Sequence, residues 1–154
     1  MEVVKWIDPK LYETIRSLMP IPCVDLLVKD GKKILLAKRV NEPAKGLWWS
    51  PGGRILRGET LTDAVHRKAK QELGSDVWIS KQVKTYDFIW RLVDGTTFHT
   101  PTTYYVVELK GHRLKLDPQH SEFKWFSAPA EINELHPSLR TAIQDSGILF
   151  GGDK

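Results

Sequence analysis

The chain has 154 residues, 41% of them apolar and 27% charged, a composition that suits one folded domain with a real core and excludes a disordered polymer. Its 23 lysines and arginines against 19 aspartates and glutamates leave a net charge of +4, spread along the chain and too small to call for a nucleic-acid partner. No apolar run approaches the roughly 20 residues of a membrane helix, the start MEVVKWIDPK lacks the apolar core of a secretion signal, and the lone Cys23 can form no internal disulfide, so a cytoplasmic protein without a membrane partner is expected.

Leu11, Ile15 and Leu18 at helical spacing predict a short N-terminal helix over 8–18, stopped by Pro20 and Pro22. Residues 23–28 and 33–39 are alternating or β-branched runs on either side of Asp30-Gly31, and predict a β-hairpin. A loop carrying Pro43 and Gly46 follows, then a short strand over 48–50 running into the break Pro51-Gly52-Gly53. Residues 60–73 predict a helix with Gly74 as its stop and an apolar face of Leu61, Ala64, Val65, Ala69 and Leu73. Strand stretches over 77–92, a turn at Asp94-Gly95, and strands over 102–109 and 123–126 come next, and helices over 129–135 and 138–144 end the chain. This order predicts an α+β fold, a mixed β-sheet sandwiched between α-helices, as a single domain over 1–154.

One residue breaks the pattern. Turning 100° per residue, Glu72 falls within the apolar arc of the 60–73 helix, where a bare carboxylate is costly. It also stands in the last turn, where the helix dipole disfavours negative charge. Two readings are open: Glu72 holds a metal ion, or Lys68 one turn earlier pairs with it. A Gly-Gly corner just before the helix brings bare backbone to the same region, and a carbonyl there is a hard ligand of the kind Mg²⁺ takes.

Gly53, five residues, Glu59, seven residues, Arg67, and then Lys68-Ala69-Lys70-Gln71-Glu72-Leu73-Gly74 closely resembles the Nudix box, G-x5-E-x7-R-E-U-x-E-E-x-G-U. Gly53, Glu59, Arg67, Glu72 and Gly74 match. Lys68 replaces the glutamate after the arginine, and Gln71 replaces the first of the Glu-Glu pair. A box stripped of these two acids resembles that of the GDP-mannose mannosyl hydrolase (GDP-mannose glycosidase) subfamily. Ala37-Lys38-Arg39, Pro51-Gly52-Gly53-Arg54, Thr103-Tyr104-Tyr105 and Asp117-Pro118-Gln119-His120 extend the likeness over roughly residues 22–126.

The resemblance implies a Nudix fold and hydrolysis of a nucleoside diphosphate sugar, GDP-mannose or GDP-glucose, to GDP and free hexose by substitution at the anomeric carbon. It implies Mg²⁺, with Mn²⁺ as a substitute, on the Gly52 carbonyl, Glu72 and the Gln119 side chain. His120 is implied as the general base, since imidazole titrates near neutrality. Arg39 and Arg54 are implied at the diphosphate, Tyr105 at a phosphate, and Asp25 near the sugar or nucleotide, though Asp25 reads equally as an outward strand position. Glu59 and Arg67 are expected to form an ion pair that holds the box together. His66, His99, His112 and His136 read as solvent-facing, Trp48, Trp49 and Trp90 as core before base-stacking, and Cys23 as plain packing. A homodimer is implied, with the 8–18 helix as an exchange element. The alternatives are a Nudix pyrophosphohydrolase that cuts P–O–P in a nucleotide sugar or nucleoside triphosphate, and a non-catalytic nucleotide-binding module.

Overall fold

The computed structural model describes residues 2–3, 6–111, 113–115, 120–148 and 150, with the side chains of residues 120 and 121 excepted. In chain order the elements are α1 (Pro9–Leu18), β1 (Cys23–Asp30), β2 (Lys33–Arg39), β3 (Trp48–Trp49), β4 (Gly52–Arg54), α2 (Leu61–Leu73), β5 (Val77–Arg91), β6 (Thr97–Leu109), β7 (His120–Phe126), α3 (Pro129–Asn133) and α4 (Pro137–Ser146). The main path of the sheet runs β3-β2-β1-β6-β5, with β4 paired to β1 and β7 to β2. All pairs are antiparallel except β1 with β6, so the sheet is mixed, as expected.

The central strand shows how sequence sets topology. Val24, Leu26, Leu27 and Val28 are all fully buried, because β1 is covered on both faces and therefore reads as an apolar run broken by Asp25, not as an alternating one. On one face Val24, Leu26 and Val28 pack with Leu35, Tyr105 and Val107 under Ala64, Val65, Ala69 and Leu73 of α2. On the other, Leu27, Ile34, Leu36, Tyr104 and Val106 meet Ile132, Leu135, Leu139 and Ile143 from the α3–α4 region. Neighbouring positions thus serve opposite cores, the period-2 geometry of a strand.

Helix α2 is bounded by local chemistry. Thr60 caps it, its hydroxyl accepting the Asp63 N–H while the Asp63 carboxylate accepts the Thr60 N–H, and Gly74 ends it at φ +69, a conformation that favours glycine. Its buried face is Ala64, Val65, Lys68, Ala69, Glu72 and Leu73. Leu61, expected on that face, is exposed: it is the first helical residue, one turn short of the packed stretch that begins at Ala64.

Of the boundaries that differ from the sequence reading, three have a clear physical cause. The hairpin loop is Gly31-Lys32, with Gly31 at φ +56, because β1 continues through Asp30. Gly52-Gly53-Arg54 is a strand, made by pairing with Asp25-Val24-Cys23 and not by intrinsic preference. Strand β6 starts at Thr97 and contains Pro101; the pairing with β1 begins only at Thr102, so the missing N–H of Pro101 interrupts no ladder on that side. No helix of the described residues is long and apolar enough to cross a membrane.

Leu27 is fully buried at the centre of this arrangement. Leu27→Ala is expected to lower the unfolding free energy by about 2–5 kcal/mol, through lost transfer energy and the cavity left behind. Urea melts measure it, and a loss under about 1 kcal/mol would mean that the core closes around the gap.

Candidate functional site

A cleft of about 680 Å³ opens at one end of the sheet. Asp25 of β1, Arg39 of β2, Gly52, Gly53 and Arg54 of β4, Lys68 and Gln71 of α2, and Trp49, Phe88 and Trp90 line it. The structure therefore brings together Asp25, Arg39, Gly52 and Arg54, four of the residues singled out in the sequence, and places Glu72 directly behind Gly52.

Asp25 takes its place because β1 and β4 lie in register, Asp25 opposite Gly52. A Cβ at Gly52 would collide with Asp25 Oδ1 and with the Val24 carbonyl, so only glycine lets the two strands approach. The carboxylate is 7% exposed and is not an outward position. Trp49 Nε1 and the Ser50 hydroxyl donate to its Oδ2 at 3.1 and 2.8 Å. Burial is the largest influence on Asp25, with the nearby Glu72 charge acting in the same direction; together they outweigh these hydrogen bonds and raise its pKa from 3.8 to about 7.

Glu72 is 1% exposed. The Gly52 N–H donates to its Oε2 at 3.0 Å, and the Lys68 ammonium stands 2.5 Å from its Oε1. The salt-bridge reading of the sequence is thus present in the geometry. Lys68 is itself buried, its stem passing over Gly53, where a Cβ would stand 3.1 Å from Lys68 Cε. Among the described residues no three His, Cys, Asp or Glu side chains come together as a metal cluster. A divalent cation of the Mg²⁺ type seeks several hard oxygens. Of the two buried acids here, Asp25 is engaged through Oδ2 by Trp49 and Ser50, and Glu72 stands beside the Gly52 backbone, a set that fits one ion and not two, and fits it only once Lys68 has left Glu72.

The rest of the box is structural. Arg67 Nε and Nη2 donate to the two oxygens of Glu59 at 2.6 and 2.9 Å, and Nη2 also donates to the Arg54 carbonyl at 2.9 Å. Glu59 Oε2 further accepts the Leu56 N–H at 3.0 Å. The ion pair expected from the sequence therefore ties α2 to the loop before it and to the backbone of the cleft's Arg54. Gln71 is spent on the same arginine, accepting Arg67 Nη1 at 3.1 Å. The Arg54 guanidinium lies 4.9 Å from the Tyr12 ring centre, and Arg39 Nε donates to the Pro43 carbonyl at 2.8 Å. Both arginines are held with their charge at the cleft.

Other expectations are redistributed. Tyr105 packs on the α2 face and donates its hydroxyl to Gln82 at 2.9 Å, outside the cleft wall, so a phosphate contact does not go with this geometry. Its neighbour Tyr104 points to the opposite face, 3.4 Å from the Ser50 hydroxyl. Gln119 lies outside the described residues. For His120 only the strand position is described: it begins β7, in register with Arg39. His66 and His99 pair with Asp76 and Asp87 and are not simply solvent-facing, and His136 accepts the Ser138 N–H to cap α4 while its ring packs between Trp49 and Trp90; none of the three lines the cleft. His112 is outside the described residues. Trp48 packs edge-on against Phe126, whereas Trp49 and Trp90 reach the cleft wall. Cys23 also lines the cleft, its thiol pushed up to about 12 by burial. Tyr12, Phe98, Thr100 and Thr102 line it too and were not singled out in the sequence, where nothing in their spacing marks them.

Asp25 makes the stability of the chain depend on pH. Its folded pKa of about 7 lies above the ordinary 3.8, so the folded state holds this proton more tightly. The contribution is complete below pH 3.8 and is lost as pH rises through about 7. In chelator, the unaltered chain is expected to lose on the order of a few kcal/mol relative to Asp25→Asn across that range. Denaturant melts at a series of pH values measure the difference, and parallel curves for the two proteins would contradict it.

The comparisons agree with this geometry. A low-salt glycan biosynthesis protein of Haloferax volcanii is 39% identical over 129 residues, 82% of this chain and 81% of that protein. An ADP-ribose pyrophosphatase of Methanocaldococcus jannaschii is 31% identical over 134 residues, 87% of this chain and 74% of that one. The crystal structure of a MutT NUDIX hydrolase from Burkholderia pseudomallei superposes with a TM-score of 0.69 over 82% of this chain and 98% of that one, at 24% identity, a likeness of fold. The family model for the NUDIX domain matches residues 19–145, which takes in the whole sheet, the box and the cleft lining apart from Tyr12, and the chain belongs to this family of hydrolases.

Proposed function

We propose that the chain hydrolyses a nucleoside diphosphate sugar, GDP-mannose or GDP-glucose first, to the nucleoside diphosphate and free hexose, by inverting displacement at the anomeric carbon. The observation that carries this reading is the inner face of α2. It keeps one carboxylate, Glu72, while Lys68 stands on that carboxylate and Gln71 is bound to Arg67, at the two positions where the full box has acids. Attack of water at phosphorus is served by two or more divalent ions on such acids, whereas a single cation suits the stabilisation of a departing diphosphate.

Nudix hydrolases are generally dependent on divalent metal. The ion proposed here is Mg²⁺, with Mn²⁺ able to replace it, on the Gly52 carbonyl, Glu72 and the Gln119 side chain; it would neutralise charge on the diphosphate. Arg39 and Arg54 bind that diphosphate from the cleft wall, and their fixed charge stabilises the leaving group. Asp25 faces the sugar or nucleotide from the cleft floor. His120 takes the proton of the attacking water. Tyr105 is left out, its hydroxyl being engaged by Gln82. The names of two relatives support the substrate class: one concerns glycan biosynthesis, and the ADP-ribose of the other is a nucleoside diphosphate carrying a sugar. A homodimer belongs to the same proposal, since α1 buries none of its residues and exposes Leu11 and Leu18.

A second reading, cleavage of the P–O–P bridge, is favoured by the pyrophosphatase name of the 31% identical relative. Hydrolysis of GDP-mannose in ¹⁸O water separates the two. Label in the hexose is the expected result, and label in phosphate overturns the first reading. His120→Gln is expected to lower kcat by about two to four orders of magnitude, with KM little changed; an unaltered kcat removes His120 from the mechanism.

A further inference from the structure

The cation position on Glu72 is taken by the chain itself. The carboxylate is 1% exposed and stands at the C-terminal end of α2, where the helix dipole opposes it. Its Oε2 is fixed by the Gly52 N–H, and its Oε1 by Lys68 at 2.5 Å. A lysine four residues before a glutamate is the weaker order for an ion pair on a helix surface, so helix stabilisation accounts for little of this pair. It is a buried neutralisation, in which the charge left behind would be costly if either partner were removed.

Two cations do not share that oxygen. An ammonium and a divalent ion a few ångströms apart in a desolvated corner repel each other strongly. Lys68 also has somewhere to go: it ends a flexible four-carbon stem, it lines the cleft, and Gly53 leaves its stem unobstructed by a side chain. We propose that Lys68 and a divalent ion are alternative partners of Glu72, the ion binding only as it displaces the Lys68 ammonium into the cleft, beside Arg39 and Arg54. The displaced charge then faces the space where a diphosphate is bound, so ion and diphosphate bind better together than apart. This inference rests on the reading of Glu72 as the metal carboxylate of the box, not on which bond or sugar is cut.

Mn²⁺ binding without nucleotide tests it, read by electron paramagnetic resonance of the free ion. Lys68→Met keeps the length of the stem and removes the charge, and is expected to bind Mn²⁺ at least about tenfold more tightly than the unaltered chain. Lys68→Arg is expected to stay weak. Equal or weaker binding by Lys68→Met overturns the proposal. The unaltered chain gives a second measurement that needs no variant to fold: during a Mg²⁺ titration the Lys68 side-chain NMR signal moves in step with ion binding. A saturating ion that leaves that signal unmoved also overturns the proposal. Neither readout uses substrate, so a failed ¹⁸O result would sink the proposed reaction and leave these outcomes intact.

Discussion

A carboxylate with almost no exposure, at the wrong end of a helix dipole, has to be given a positive charge, and much of this structure is arranged around that need. Glu72 receives an N–H from Gly52 and an ammonium from Lys68. The first requires the β4 strand to lie against β1, which in turn requires a residue without Cβ opposite Asp25. The second lays the Lys68 stem over Gly53, where a Cβ would crowd Lys68 Cε at 3.1 Å. Two adjacent glycines thus have separate steric reasons, and both trace back to the same buried acid.

Asp25 compounds the problem. It stands on the other side of Gly52, and the Glu72 charge contributes to holding its proton on at ordinary pH. Two buried acids and one ammonium make a corner whose charge balance is tight, with Arg39 and Arg54 as the further cations on the cleft wall. A ligand rich in negative charge fits such a wall, and the diphosphate of a nucleotide sugar is that kind of ligand. The ion pair of Glu59 with Arg67 keeps Arg54 at its post by holding its carbonyl, so the box contributes to the cleft through positioning as well as through Glu72.

What could be read in the sequence followed from how local its cause was. Helix α2 was legible to within a residue because Thr60, Asp63 and Gly74 bound it by contacts within a few residues. The choice between metal and lysine for Glu72 was posed by the helical wheel but needed coordinates, since both readings use the same face. Strand β4 was missed because two glycines are poor strand formers and only tertiary pairing with β1 makes them one. Which of Tyr104 and Tyr105 turned toward the cleft side depended on strand parity, and Tyr105 turned to α2. Tyr12 reached the cleft because α1 is set beside Arg54, a placement no spacing within α1 encodes.

The central claim is the proposed chemistry, in which a box with one inward carboxylate would act on the bond between sugar and diphosphate. Phosphorus NMR of the products formed from GDP-mannose and Mg²⁺ reads that bond directly. The account predicts GDP as the sole phosphorus-containing product, with the hexose released unphosphorylated. GMP together with a hexose phosphate would contradict it.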